Sequence, residues 1–222
     1  TEQLAAIETQ DLVALSAKQI ASLSATQVAG LSTTQVGNLR PSQVASLTTD
    51  AVAALTDAQL QAMTSQQVAA FKTGQIQALT SGQISALGTD QLAGLTSQQI
   101  ADLSTVTLQA LSAKQITALE TGDLSLLGSS KITSLSSAQI RALTTAQIVE
   151  LTTAQLTSLG SSILSGLQSS QMSALSTSRL NNLASTTLSS LSSSQVAGLT
   201  TDQVANLATT ALGYLNTSAI TG

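Results

Sequence analysis

The sequence predicts an all-α fold, a repeat solenoid of very short capped helices with one helix in every eight residues. Three observations carry that expectation. An apolar residue returns every eight positions through 27 octads with no insertion or deletion. Within each octad, hydroxyl, glutamine and aliphatic residues follow one another at the spacing of a helix N-terminus. The apolar mass is almost all Leu, Ile, Val and Ala, with one Phe, one Tyr and no Trp, which suits many small layers better than one large aromatic-rich core.

With position 1 set at Ile7, that column is Leu from Leu15 to Leu215 except at Met63 and Phe71. Position 6 runs Leu12, Ile20, Val28, Val36 onward, always Leu, Ile or Val except at Met172. Position 5 is usually Gln, positions 2 and 3 concentrate Ser and Thr, and positions 7 and 8 are mostly Ala, Ser or Gly. With the N-cap at position 2, its hydroxyl accepts from a free amide of the first turn, and Gln at position 5 becomes N3 and reaches back to the cap amide. Leu at position 1 and the aliphatic at position 6 then stand at N′ and N4, the spacing of a hydrophobic staple. The single proline agrees, because Pro41 falls at N1, where a missing N–H is harmless.

Ser or Thr fills position 2 in 16 of 27 octads and position 3 in 22 of 27, so some caps are expected one residue later. At Gly88, Gly128 and Gly160 the hydroxyl moves to Thr89, Ser129 and Ser161. Only the octad of Leu39 lacks one at both positions. A capping hydroxyl in every repeat is what chain reversal every eight residues is expected to require.

A continuous helix is excluded by geometry: eight residues at about 100° each overshoot two turns by about 80°, so the leucine stripe would wind around the helix. A β-solenoid is the alternative. It needs a corner inside each interval, because the steps of five and three between apolar columns are odd, and Ala, Gln and Leu favour helix over strand. One octad buries too little apolar surface to offset the ordering of eight residues. Octads must therefore stack, adding backbone hydrogen bonds, small-residue packing and shared burial between neighbours. Two or three octads per coil are expected, and residues 1–222 read as one continuous array, a segment of a longer one.

The chemistry is sparse. No His and no Cys means no imidazole base, thiolate or good zinc set, and the dispersed glycines form no phosphate-cradling loop. No enzyme, cofactor, metal or catalytic residue is expected. Asp50 with Asp57, and Glu120 with Asp123, read as isolated solvated charges. The glutamine column reads first as half of the capping box, against a ladder of stacked amides or a polar face for polysaccharide. The hydroxyl rows read as caps, against a surface that orders water or carries sugars. Charged residues make up 8%, with a net charge of −4, and the basic residues are too scattered to bind nucleic acid. No apolar run is long enough to cross a membrane.

Tracts such as "ALTTAQIVELTTAQLTSL" (142–159), of the form L-[ST]-x-x-Q-[IV]-x-x, resemble octapeptide-repeat regions of very large bacterial surface and secreted proteins of the adhesin-like or haemagglutinin-like kind. The resemblance implies an extracellular or cell-surface structural element, a stalk, fibre or filament, and carries no functional residues with it. A binding module offering its Ser/Thr/Gln surface to glycan, ice or another protein is the alternative. At the ends, Leu4 and Ile7 on one side and Leu215 and Ile220 on the other continue the apolar columns up to Gly222. The expected partner is therefore another copy, or further repeats of the same kind.

Overall fold

The computed structural model describes residues 7–215. Glu2, Leu4, Ile220 and Gly222 lie outside them. The described residues form short helices of four to six residues, one per octad, with no strand among them. The all-α reading holds and the β-solenoid does not. The chain divides into two compact units, Thr1–Leu119 and Glu120–Gly222.

Local chemistry explains each helix. In every described octad with Ser or Thr at position 2, that residue is the N-cap and its side chain accepts the position-5 amide, as Ser24 does from Gln27 at 3.2 Å. The return bond is also present: Ser24 N–H donates to Gln27 Oε1 at 2.8 Å. Contrary to the expectation of shifted caps, the N-cap stays at position 2 where the hydroxyl is missing. Gly88, Gly128 and Gly160 are N-caps without a side-chain bond. At Gly88 the glutamine half of the box persists, with Gly88 N–H donating to Gln91 Oε1 at 2.8 Å. The register is thus set by stacking of the apolar columns, and the hydroxyl strengthens a corner it does not place.

The corner is made without a left-handed residue, since no described residue has positive φ. Each helix closes with a tight bond from the position-1 N–H to the position-6 carbonyl, as from Leu79 to Ile76 at 3.2 Å. Two extended residues then reverse the chain, here Leu79 at φ −63°, ψ 133° and Thr80 at φ −80°, ψ 163°. Ordinary L-residues adopt these angles freely, so an octad needs no glycine to turn.

Each helix packs on the one three octads later. In the first unit, Thr9–Ala14, Thr33–Gly37, Asp57–Gln61, Ser81–Ala86 and Thr105–Gln109 form one such column. Helices Ala25–Ala29, Thr49–Ala53, Thr73–Ala78 and Ser97–Asp102 form a second, and Ala17–Ala21 through Ala113–Ala118 a third. In the second unit, Thr121–Leu126, Thr145–Glu150, Ser169–Ala174 and Ser193–Ala197 stack in the same way. A coil is therefore three helices and 24 residues. Positions 1 and 6 fill its interior: Ile76, Ile84, Leu92 and Ile100 are fully buried, with Leu79, Leu87 and Leu95 almost so. Met63 and Phe71 occupy the same column without leaving it.

Small residues let coils approach. A Cβ added at Gly94 would lie 2.8 Å from Ser65 Cβ, and one at Gly198 2.6 Å from Ser169 Cβ. Both glycines sit at position 8, above position 3 of the coil before.

Candidate functional site

The most regular polar feature of both units is a ladder of buried glutamine amides. Gln59, 2% exposed, donates from Nε2 to the carbonyls of Val28 at 3.0 Å and Leu31 at 2.7 Å, while its Oε1 accepts the Thr56 N–H at 2.8 Å. Gln67 repeats this on Val36 and Leu39, Gln75 on Val44 and Leu47, and Gln83 on Val52 and Leu55. In the second unit Gln155 reaches Leu124 and Leu127, and Gln195 reaches Leu164 and Leu167. The acceptors lie 31 and 28 residues back, at the end of a helix and the following corner in the coil beneath. The position-6 carbonyl there already accepts the position-1 N–H, as Val28 does from Leu31 at 3.1 Å. The amide gives it a second donor and also supplies a donor to the corner carbonyl, which stands past the helix end.

These side chains link coils in place of the expected backbone bonds: the backbone–backbone bonds outside the helices join residues three or four apart among the described residues. The capping reading and the ladder reading of position 5 hold together, one through the amide oxygen and the other through its nitrogen. Where buried, the glutamines offer no face to a polysaccharide.

Departures from Gln show what the slot demands. Arg179 keeps a donor there, and its guanidinium bonds the Val149 carbonyl. Thr107 and Thr187 are buried but too short to reach the coil beneath; Thr107 Oγ1 donates to its own N-cap carbonyl, Ser104 O, at 2.9 Å. Asp123 corrects the expectation of a solvated charge. It is 0% exposed, and its Oδ2 accepts the Glu120 N–H at 2.8 Å, as a glutamine oxygen would. Glu120, Asp50 and Asp57 are exposed.

The rest of the described surface is mostly hydroxyls, small residues and scattered charge, with single aliphatics such as Val106, Leu126 and Val149 exposed among them. Among the described residues, no group of three or more acidic residues is close enough to hold a metal ion, and no helix is long and apolar enough to cross a membrane. Two surface grooves, one lined by Met63, Ser65, Asp90 and Gln91 and the other by Thr145, Val149, Glu150 and Ala174, each hold one carboxylate and no base to pair with it.

The profile of the ALTTAQ repeat matches residues 4–41, 68–105 and 116–153, together just over half of the sequence. The chain belongs to the ALTTAQ repeat family. Each match begins at a position-6 aliphatic, Leu4, Val68 or Ile116, and ends at position 3, so all three keep the octad phase. The motif itself stands at Ala142–Gln147, where Leu143 is the corner, Thr144 the N-cap and Gln147 N3. None of the curated proteins matches the chain.

Proposed function

We propose that this chain is a structural element, a stalk, fibre or filament component at the surface of a bacterial cell, and that it is not an enzyme. The observation that supports this reading is the amide ladder. Within each unit, buried glutamine amides join one coil to the next in most octads, and no inserted loop on which a binding or catalytic site would grow interrupts the repeat among the described residues. The octapeptide-repeat resemblance supports the extracellular setting. Brief proteolysis of intact cells tests it: an epitope within residues 7–215 should be removed while cytoplasmic markers persist, and protection until lysis contradicts the location.

A second reading, a binding module, draws on the position-3 hydroxyls. They are not the caps, and Thr33, Thr49, Thr73, Thr145 and Thr153 remain exposed. Saturable binding of the purified chain on a glycan array, or thermal hysteresis in ice, would favour this reading over a purely mechanical role.

A further inference from the structure

Helix Thr177–Asn181, in the second unit, is held differently from the rest of its coil. Its two coil-mates, Ser169–Ala174 and Ser185–Ser189, stack closely on the helices beneath and above them, whereas Thr177–Asn181 meets Thr153–Ser158 beneath and Thr201–Asn206 above only sparsely. All three share one coil, so nearness to the last described residue does not separate them. Position 5 does. Gln171 is buried, donates to the Ile140 and Leu143 carbonyls, and accepts the Gln168 N–H at 2.7 Å. Arg179 is half-buried, and its guanidinium bonds the Val149 carbonyl alone among the described residues. A guanidinium has no acceptor, so this helix also lacks the glutamine half of the capping box. Loss of the ladder bond is not enough to loosen a helix: Ala51 has no donor, yet it is fully buried and Thr49–Ala53 packs closely on Ala25–Ala29 and Thr73–Ala78. Arg179 differs from Ala51 in length and charge. It is too long for a slot that closes over a glutamine amide, and full burial would strip a cation of water with no carboxylate bonded to it. On the upper side Asn181 spans the gap, its Oδ1 accepting the Ala208 N–H at 2.9 Å and its Nδ2 reaching the Asn206 carbonyl at 3.5 Å.

We propose that Thr177–Asn181 is a yield point built into the second unit. Arg179 wedges it from the helix beneath, and it opens as a single helix while the other two helices of its coil stay stacked. Leu180 and Leu183 are buried when it is closed, so opening uncovers the interior at one place on one column. Local openings of this kind come from the segments with the fewest buried apolar contacts. The inference goes beyond the stalk reading and does not depend on it; in a stalk, this is where tension acts first.

Hydrogen exchange of the 222-residue chain, corrected for intrinsic rates, tests it. The N–H groups of Leu180, Asn182 and Leu183, bonded to the carbonyls of Ser176, Arg179 and Leu180, should exchange about tenfold or more faster than those of Met172 and Leu175 or of Leu188 and Leu191. Arg179→Gln restores an acceptor for the Ser176 N–H and a donor for the carbonyls of Ile148 and Leu151, which stand to it as Ile140 and Leu143 stand to Gln171. It should slow the three amides about tenfold and leave Met172 and Leu188 unchanged. Asn181→Ala removes the upper strap and should speed them. Arg179→Ala separates wedge from tie: as at Ala51, the short side chain lets the helices close, so exchange should not accelerate. Amides of all three helices exchanging together in the wild type overturn the proposal. So does acceleration by Arg179→Ala, which would make the guanidinium the bond that holds the helix in place. Either outcome leaves the intact-cell proteolysis result, and with it the stalk reading, untouched.

Discussion

Gln59 and Leu31, 28 residues apart, are joined by a 2.7 Å bond from the amide nitrogen of one to the carbonyl of the other, while the oxygen of the same amide caps its own helix through Thr56. One side chain starts a helix and ends the corner beneath it. Neutral hydrogen bonds contribute about 1 kcal/mol each, and more where a buried group would otherwise be left unsatisfied. Gln59→Ala should therefore cost about 2–4 kcal/mol in chemical denaturation, above the ~1 kcal/mol of a lost cap. A loss no larger than that of a cap variant such as Thr56→Ala would mean that the inter-coil bonds contribute nothing.

Gln59→Glu separates the two jobs. The cap acceptor survives, but a carboxylate replaces the donor against the carbonyls of Val28 and Leu31. Burial among acceptors disfavours its charged form, so its folded-state pKa rises above the unfolded value of about 4.3. The penalty is small below that value and grows as pH rises toward the folded pKa. The variant should be closer to wild type at pH 4 than at pH 7, and a pH-independent difference would contradict the burial of this group.

Much of this fold was legible from local spacing. Leu55, Thr56, Gln59 and Leu60 stand at N′, N-cap, N3 and N4, and that relationship is written within six residues. The three-helix coil was not legible, because it depends on corner angles repeated alike in every octad, which leave no 24-residue pattern. The role of Gln Nε2 left a signal that capping alone does not explain. A capping box accepts Glu as readily as Gln, and Glu suits a helix N-terminus, yet position 5 holds 17 Gln and no Glu. Excluding Glu points to a required donor. The burial of Asp123 was illegible for the same reason: its sequence neighbours look solvated, and its slot is closed by residues distant in sequence.

The caps allow a stabilising change. Ala184 is an N-cap with φ −61°, ψ 149° and no side-chain bond, and Ser136 holds similar angles, φ −70°, ψ 158°, while accepting from Gln139. Ala184→Ser should therefore form its cap without backbone movement and add about 1 kcal/mol. The thermal midpoint should rise; a fall would mean that the hydroxyl is not oriented toward the Thr187 amide.

Glycines divide by what a methyl group would meet. At Gly198 an added Cβ would lie 2.6 Å from Ser169 Cβ and 2.9 Å from the Ser169 carbonyl oxygen, so the coils must part to admit it. At Gly122, within Thr121–Leu126, nothing lies within 4 Å. Gly198→Ala should destabilise by about 1–3 kcal/mol through overpacking. Gly122→Ala should stabilise by up to about 1 kcal/mol through helix propensity. Opposite shifts in the denaturation midpoint are the expected result, and shifts of the same sign would show that coil spacing is not limited by position 8.

Val106 and Leu111 set the sharpest test of inside against outside. They lie five residues apart, but Val106 is 63% exposed on the helix surface and Leu111 is 3% exposed in the interior column. An aspartate at position 106 stays in water and should change stability by less than about 0.5 kcal/mol. Leu111→Asp removes a leucine from the column and forces a carboxylate into a layer of Leu and Ile, which should cost more than about 3 kcal/mol. Because each coil is supported by its neighbours, the damage should spread along the stack and not across the whole chain. Hydrogen exchange should accelerate first in Ala113–Ala118 and in Thr89–Ala93, the helix on which it packs, while Thr33–Gly37 stays protected. Equal damage from the two substitutions would mean that the apolar column does not face the interior, and uniform exchange throughout the first unit would mean that the coils do not stack as separable layers.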